Sequence, residues 1–429
     1  MALPESLSAK FISSFAYKTI KDRLPIILTK VIDMVYRMKI QIAESHGQEG
    51  VDELKVIAGR LAKLRNEMQT DKPLIPLTED GEDVSIWNSY LQEKSESKGS
   101  PPSWFCDPWL YVECYMYRRI QQAFNLSPLV SSIDPFRAQK ENSFCGSENA
   151  IVTLLAHLKT ITETSMKDSE LKTTFYRLLQ VSLWGNKVDL SISSLEERTQ
   201  DVNPLVQLDS LRPNILVDNS QDTWQTIQRP NSNRIDIILD NAGFELIGDL
   251  VLAEFLLASN FANVIYLHGK AMPWFVSDVT QHDLDWTMKA LSKSDNSTLV
   301  YFGNKWQERL EKGSFVFTEH LFWTLPHDYS LMKSAMPELY NELGKAKIVI
   351  LKGDLNYRKL TGDRQWDTTT RFDVALQGFH PAPVVSLRTL KADVQVGLKP
   401  GQAEECRAAN ENWMVTGEYA VIQFSSLVL

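Results

Sequence analysis

Residues 234–245 read RIDIILDNAGFE, and the fold class is predicted from this run. Its first six residues are rich in isoleucine and leucine, as in a strand that is buried on both faces of a sheet. The polar pair Asp240 and Asn241 follows, then Gly243, which permits a tight turn, and a helix begins with Glu245 in its first turn. The stretch predicts a strand that ends at a polar site and turns directly into a helix.

Further β-rich runs follow, and helical segments separate several of them. The clearest helical segments are residues 244–259 and 283–294. Continuous apolar strands that alternate with helices are typical of a mostly parallel sheet covered on both faces. The sequence therefore predicts the α/β class. The predicted strands are residues 234–239, 263–267, 297–302, 347–351 and 383–387.

The chain before about residue 200 has a different, helical pattern. The aromatic stretch after Pro108 predicts a buried helix, and residues 150–163 and 169–184 predict two more. We divide the 429 residues into a helical N-terminal region, 1–200, and an α/β domain, 201–429. This division agrees with the usual size of domains, roughly 100–200 residues each.

Composition limits the kind of partner and the compartment. The formal net charge of -9 disfavours nucleic acid as a partner, because sequence-independent binding needs a basic face. The four cysteines form no CxxC pair, so neither a zinc ribbon nor a disulfide framework is expected. No apolar run approaches the roughly 20 residues of a membrane span, and no signal-peptide pattern is present. We expect a cytoplasmic protein, with the nucleus also open, and no membrane partner.

Candidate metal ligands follow the first two predicted strands. Asp240 and Asn241 stand directly after the first strand, and Asp278 ends the stretch PWFVSD after the second. In open α/β sheets, ligands collect at the carboxyl ends of the strands. Carboxylate and amide oxygens suit Mg, Mn and related divalent ions. The alternative for each residue is a helix cap, which Asp and Asn supply equally well.

Basic and amide groups follow the later strands. Residues 352–359, KGDLNYRK, surround Gly353, and Arg388 and Lys391 follow the last predicted strand in an RTxK stretch. Such turns present backbone N–H groups and cations to a phosphate or a sugar, although a solvated helix start has the same composition. Acids after the early strands and cations after the later ones fit metal-assisted hydrolysis of a phosphate ester.

Rival chemistries lack their motifs in this chain. We find no GxxxxGK[ST], GxGxxG, HExxH or GxSxG. Residues 236–241, DIILDN, do not match the DxDx[TV] start of haloacid-dehalogenase phosphatases. The sequence therefore disfavours P-loop nucleotide hydrolysis, dinucleotide binding, zinc proteolysis and serine esterase chemistry.

Several blocks, in order along the chain, resemble one known family. They include WLYVECYMYRRI at 109–120, SLWGNKVDLS at 182–191, KGDLNYRKLTGDR at 352–364, GFHPAP at 378–383 and RTLK at 388–391. The chain resembles the damage-control phosphatases, in particular subfamily III with its RTxK signature, and the resemblance runs nearly end to end. Members have also been named acidic-residue or protein-glutamate methyltransferases. The resemblance implies an α/β/α sandwich with a helical N-terminal part.

The resemblance also implies an activity and its residues. It implies that Asp240, Asn241 and Asp278 hold a divalent metal (Mn, Co, Ni or Mg) and act in catalysis. The implied activity is metal-dependent hydrolysis of small sugar phosphates such as fructose 1-phosphate and fructose 6-phosphate. The implied substrate pocket is lined by Asp240 and Asn241 together with Asp354, Leu355, Asn356, Tyr357, Arg358 and Lys391.

Two other functions stay open on the sequence. The first is a protein-glutamate O-methyltransferase, in which Glu245 and Asp278 contact S-adenosylmethionine and the substrate is a protein. The glycine-rich loop of many such enzymes is missing. The second is an inert interaction module, which the combination of acidic and basic residues after the strands disfavours.

Overall fold

The computed structural model describes residues 3–195, 204–230 and 232–426, and the side chains at 186–195 and 204–207 lie outside this description. Seven strands in these ranges form one sheet. The strands are β1 Ile215–Asp218, β2 Arg234–Ile238, β3 Val264–Gly269, β4 Phe315–Glu319, β5 Val349–Lys352, β6 Val384–Thr389 and β7 Ala420–Ser425. Their order across the sheet is β1-β7-β6-β5-β2-β3-β4.

The sheet is mostly parallel, which confirms the predicted α/β class. Strands β4, β3, β2, β5 and β6 run parallel, whereas β7 is antiparallel to β6 and pairs in parallel with β1. The chain leaves β2 towards β3 and β4 on one side, and β5 and β6 lie on the other side. This reversal opens a crevice at the carboxyl ends of β2 and β5, where open α/β sheets bind their ligands.

Helices surround the sheet and make up most of the chain before residue 200. Within the described ranges, no helix is both long and apolar enough to cross a lipid bilayer. The helices are α1 Phe15–Lys18, α2 Leu24–Arg37, α3 Lys39–Gln69, α4 Val84–Lys98, α5 Trp109–Asn125, α6 Arg137–Gly146, α7 Glu148–Glu163, α8 Asp168–Leu195, α9 Pro204–Leu211, α10 Ser220–Ile227, α11 Phe244–Ala258, α12 Gln281–Ser292, α13 Ser297–Glu311, α14 Met332–Ala335, α15 Pro337–Leu343, α16 Gly353–Thr361, α17 Phe372–Ala375 and α18 Gln402–Ala409.

The two faces of the sheet are buried in two separate apolar clusters. Ile238 and Leu351 lie in one cluster with residues of α2, α3 and α5. Ile237 and Ile350, their neighbours in sequence, lie in the other cluster with residues of α7, α8 and α11. The alternation follows from the period of two along a strand. Helices from before residue 200 thus cover both faces, and the division into two domains at that residue stays a prediction.

One predicted strand is wrong, and three strands were not predicted. Residues 297–302 form the start of α13, because the Asn296 side chain accepts hydrogen bonds from the N–H groups of Thr298 and Leu299 and caps the helix. The buried residues Leu299, Phe302 and Trp306 of α13 have helical spacing, which outweighs the β propensity of the run. The strands that were not predicted are β1, β4 and β7. Strands β1 and β4 are the two edges of the sheet and are mostly half-buried, so they lack the continuous apolar pattern of the central strands.

Candidate active site

The loops that follow β2 and β3 are joined by backbone contacts. The N–H of Ala242 donates to the carbonyl of Ser277 at 2.8 Å. Asn241 pairs with Asp278 in an isolated antiparallel bridge. Because β2 and β3 are adjacent and parallel, their carboxyl ends meet at one edge of the sheet. The structure therefore brings together the three predicted metal ligands, Asp240, Asn241 and Asp278.

Hydrogen bonds fix the amide of Asn241. Its Nδ2 donates to Oδ2 of Asp240 and to Oε2 of Glu245, at 2.8 Å in each case. The hydroxyl of Ser277 donates to Oδ1 of Asn241. A side chain held by three partners has little rotational freedom, so its position is set before any ligand arrives.

Two buried lysines flank these acids, and neither was among the predicted site residues. The Nζ of Lys270 lies 3.1 Å from Oδ2 of Asp278. The Nζ of Lys352, at the end of β5, lies 3.2 Å from Oε1 of Glu245 and 2.9 Å from Oδ1 of Asp249. The sequence did contain a clue to these two lysines, because each stands at the end of an apolar strand. A charged side chain that is buried there needs a partner of opposite charge.

The acids repel one another in a buried setting. Burial raises the pKa of Asp240 well above its ordinary value, and the charges of Glu245 and Asp278 raise it further. Burial also raises the pKa of Asp278, against the opposing effect of Lys270. Burial raises the pKa of Asp249 to about 6, although Lys352 opposes this. A bound cation would favour the charged forms of the central acids.

The donor set fits a divalent cation. Oδ2 of Asp278 is buried and accepts no hydrogen bond, even though Lys270 lies near it. Across the described ranges, no three His, Cys, Asp or Glu side chains are grouped to hold a metal. A cation here would therefore use the carboxylates of Asp240 and Asp278 and the amide oxygen of Asn241. Such oxygen ligands suit Mg or Mn, which commonly keep several waters.

A glycine allows Asp240 to approach the start of α16. Gly353 has a φ of +83°, and a Cβ at this position would lie 1.9 Å from Oδ2 of Asp240. Any other residue would clash with the carboxylate and would also be strained in its backbone. The carboxylate thus lies against the helix N-terminus, which favours negative charge.

A cavity of about 290 Å³ opens beside these residues. Asp240, Glu245 and Gly353 line it, together with the exposed Lys391. Residues 416–418, which precede β7, also line it and were not predicted. They reach this edge because β7 is antiparallel to β6, so that the start of one strand lies beside the end of the other.

Asp354 connects the start of α16 to the RTxK turn. Its Oδ1 accepts a hydrogen bond from Nε of Arg388 at 2.7 Å and another from the N–H of Lys391 at 3.1 Å. Arg388 is buried and also donates to backbone carbonyls. The contacts hold the backbone of Lys391, whose side chain forms no ion pair within the described part of the chain. Lys391 is therefore available to bind an anion.

The other predicted pocket residues of α16 have interior contacts. Leu355 lies in the apolar core, and Nδ2 of Asn356 donates to the carbonyl of Lys352 at 2.7 Å. The hydroxyl of Tyr357 donates to Oε1 of Gln423 at 2.8 Å. These three side chains pack away from the cavity, and their part in substrate binding stays a prediction.

Arg358 is likewise engaged in the interior. Its guanidinium donates to Oε2 of Glu113 at 2.7 Å and to both carboxylate oxygens of Asp363 at 3.0 Å. It also stacks 3.7 Å from the ring centroid of Trp109. The structure thus assigns this side chain to a link between α16 and α5, and its predicted contact with substrate stays a prediction.

Glu245 was predicted only for the methyltransferase alternative, but it also contacts the proposed metal site. It lines the cavity, accepts a hydrogen bond from Asn241 and lies against Lys352. These contacts give it a role in holding Asn241. Its predicted contact with S-adenosylmethionine, and the methyltransferase alternative with it, stays a prediction.

Comparison with known proteins adds the family. Residues 19–406 match the model of the damage-control phosphatase ARMT1-like domain. The chain is 49% identical to damage-control phosphatase ARMT1 of Xenopus laevis, with 99% of each chain covered, and 47% identical to that of Homo sapiens, with 98% of each covered. A solved DUF89 family protein from Pyrococcus horikoshii aligns with a TM-score of 0.39 and 15% identity, covering 92% of this chain and 97% of that one. The chain belongs to the damage-control phosphatase ARMT1-like family.

Proposed function

We propose that this protein is a metal-dependent phosphatase for small sugar phosphates, such as fructose 1-phosphate and fructose 6-phosphate. One observation carries the proposal. Asp240, Asn241 and Asp278 converge at the crevice between β2 and β5, beside a cavity that also holds the exposed Lys391. Asp240, one of the three oxygen ligands proposed for the metal, lines the same cavity as Lys391, which is proposed to bind the phosphate.

Different residues of the chain would bind the metal, bind the phosphoryl group and hold the ligand side chains. Asp240, Asn241 and Asp278 would hold the divalent metal, which when bound polarises phosphoryl oxygens and makes water a better nucleophile. Lys391 offsets the negative charge of the phosphoryl group. Lys270 and Glu245 keep the ligand side chains in place through their contacts with Asp278 and Asn241.

The cavity supports a small, hydroxylated substrate. Its volume of about 290 Å³ lies at the lower end of the usual range for small-molecule sites. Leu183, Trp184 and Leu387 form an apolar wall, and Thr389 and Thr416 add hydroxyl groups. An apolar wall opposite hydrogen-bonding groups suits a sugar, whose ring faces are apolar and whose hydroxyl groups are polar.

The experiment is a phosphate-release assay on metal-stripped protein. Fructose 1-phosphate, fructose 6-phosphate and other sugar phosphates are offered with Mg, Mn, Co or Ni restored in turn. Asp240→Ala is the test variant, and Asp367→Ala, at an exposed carboxylate on the surface, is the matched control. We expect phosphate release that needs metal, is lost in Asp240→Ala and survives in Asp367→Ala.

Two results would contradict the proposal. One is the absence of release with every metal from protein shown to be folded by circular dichroism. The other is release that persists in Asp240→Ala. Binding of labelled S-adenosylmethionine, measured on the same samples, tests the methyltransferase alternative separately.

A further inference from the structure

The loop that leads into Asp278 contains an unusual backbone turn. Phe275 has a φ of 42° and Val276 a φ of 73°. In the described part of the chain, they are the only adjacent non-glycine residues with positive φ, and Val276 is the only β-branched one. A β-branched residue in this region is a genuine outlier, because its side chain crowds the backbone. Such conformations persist only where the surrounding structure enforces them.

The turn delivers two side chains to the site. The N–H of Asp278 donates to the carbonyl of Trp274 at 3.1 Å, which closes the turn around Phe275 and Val276. Directly after the turn, Ser277 donates its hydroxyl to Asn241. A change in the backbone of the turn would therefore move both Ser277 and Asp278.

The helical layer holds the turn in place. The ring of Phe275 stacks on that of Tyr117 in α5, with 4.6 Å between centroids and 24° between the ring planes. Trp274 is completely buried and contacts Tyr117 as well. The aromatic stretch of the N-terminal helices thus supplies contacts that can overcome the strain.

We propose that the turn at Phe275 and Val276 is a positioning element, which keeps Ser277 and Asp278 rigidly against Asn241 at the cost of backbone strain. Glycine would adopt the same φ without strain, but with a much wider range of backbone angles. Compared with glycine, the valine at position 276 restricts the backbone of the turn but does not stabilise it. The inference rests on the proposed function, because the gain from stiffness is a preformed metal site.

The experiment compares the same substitution at two half-buried valines. Val276→Gly removes the strain and the stiffness at the turn. Val217→Gly, in edge strand β1, removes a side chain of similar burial where φ is not positive. Mn²⁺ binding to metal-stripped protein is measured by calorimetry, and the melting temperature is measured without metal.

We expect opposite patterns in the two variants. Val276→Gly weakens Mn²⁺ binding about tenfold, as losses in the support of metal ligands do, while its metal-free melting temperature stays at or above that of the unsubstituted chain. Val217→Gly lowers the melting temperature and leaves Mn²⁺ affinity unchanged, because glycine weakens a strand.

Three results would overturn the inference. Unchanged Mn²⁺ affinity in Val276→Gly would show that the turn positions nothing. Equal losses of affinity in both variants would show a general effect of destabilisation. If the unsubstituted chain bound no Mn²⁺, the metal part of the proposed function would fail and this inference with it, whereas the first two results leave the proposed function intact.

Discussion

The two sides of the candidate site are built differently. On the acid side, the loops after β2 and β3 bring Asp240, Asn241 and Asp278 together by backbone pairing between adjacent strands. On the cation side, the start of α16 and the RTxK turn place Lys391 at the cavity, whereas Arg358 pairs with interior carboxylates. Residues at strand ends share one edge of the sheet. Successive helical residues instead point about 100° apart, so five in a row cannot face one cavity.

This difference separates the residues proposed to bind metal or substrate from the residues that stabilise the fold around them. The acid side combines the buried carboxylates of Asp240 and Asp278 with two buried lysines. Lys270 contacts Asp278, and Lys352 contacts Glu245. The cation side exposes one lysine and buries most of its other polar side chains in contacts between α16, α5 and the sheet. We therefore expect substitutions on the acid side to affect activity, and substitutions of buried residues in α16 to affect stability.

The largest effect on activity is expected at Asp278. Asp278→Asn keeps the size of the side chain but removes a charge from the proposed metal ligands. Loss of groups that merely support a metal ligand reaches about 100-fold, so we expect at least ~100-fold lower kcat/KM here. Steady-state kinetics at saturating Mn²⁺ checks this, and Asp367→Asn serves as the surface control. Activity within a few fold of that of the unsubstituted enzyme would contradict the proposed role of Asp278 as a metal ligand.

Gly353→Ala tests the contact between the two sides. Its Cβ would meet Oδ2 of Asp240 at 1.9 Å, so either the carboxylate or the start of α16 must move. We expect a loss of activity of roughly 10–100-fold, the usual result of misplacing a catalytic group by about 1 Å. Kinetics and urea unfolding are measured together.

Gly378→Ala is the matched control for this substitution. Gly378 has a similar φ of +89°, and nothing lies within 4 Å of a Cβ placed there. It therefore has the backbone strain of Gly353→Ala without the clash. Equal activity in the two alanine variants would show that Asp240 does not depend on the close approach.

The third prediction contrasts Arg358 with Lys391. Arg358→Ala leaves Glu113 and Asp363 buried without their cation, which we expect to lower the free energy of unfolding by about 3–5 kcal/mol. Lys391→Ala removes an exposed cation, so kcat/KM should fall roughly tenfold with no change in unfolding. Urea unfolding and kinetics on both variants check this. A large loss of kcat/KM in Arg358→Ala at unchanged stability would instead support direct substrate binding.

The sequence could predict the acid side but not the interior contacts of α16. A polar residue after an apolar strand has a known place at the edge of a parallel sheet, so Asp240 and Asp278 could be brought together from their positions alone. The direction of a helical side chain depends on what packs against the helix. Arg358 pairs with Glu113, which lies in α5, and with Asp363, which lies in the turn after α16.

The fold was predictable to a similar extent. The apolar strands β2, β3, β5 and β6 are recognisable because both of their faces are buried. Strand β7 is antiparallel and lies towards the sheet edge, and its place beside β6 is fixed only by tertiary pairing. This is why the contribution of residues 416–418 to the cavity was not foreseen.

The smallest expected effect is a pH dependence at Lys359. Burial lowers the pKa of this lysine from 10.5 to about 8, and its Nζ donates to the carbonyls of Trp323 and Leu325. Between pH 8 and 10.5 the unfolded chain binds a proton that the folded chain does not, so this group's contribution to stability rises with pH. Lys359→Met should lack that rise. Urea unfolding at pH 7.5 and pH 10 checks this, and an identical stability difference between variant and unsubstituted chain at both pH values would contradict it.

In the proposed function, metal and phosphate meet at the crevice between β2 and β5. The most direct test is a crystal structure with Mn²⁺ and inorganic phosphate, in which anomalous scattering locates the metal. We expect Mn²⁺ bound by Asp240, Asn241 and Asp278, with phosphate in the cavity facing Lys391. Mn²⁺ absent from these residues, or phosphate bound away from the cavity, would contradict it.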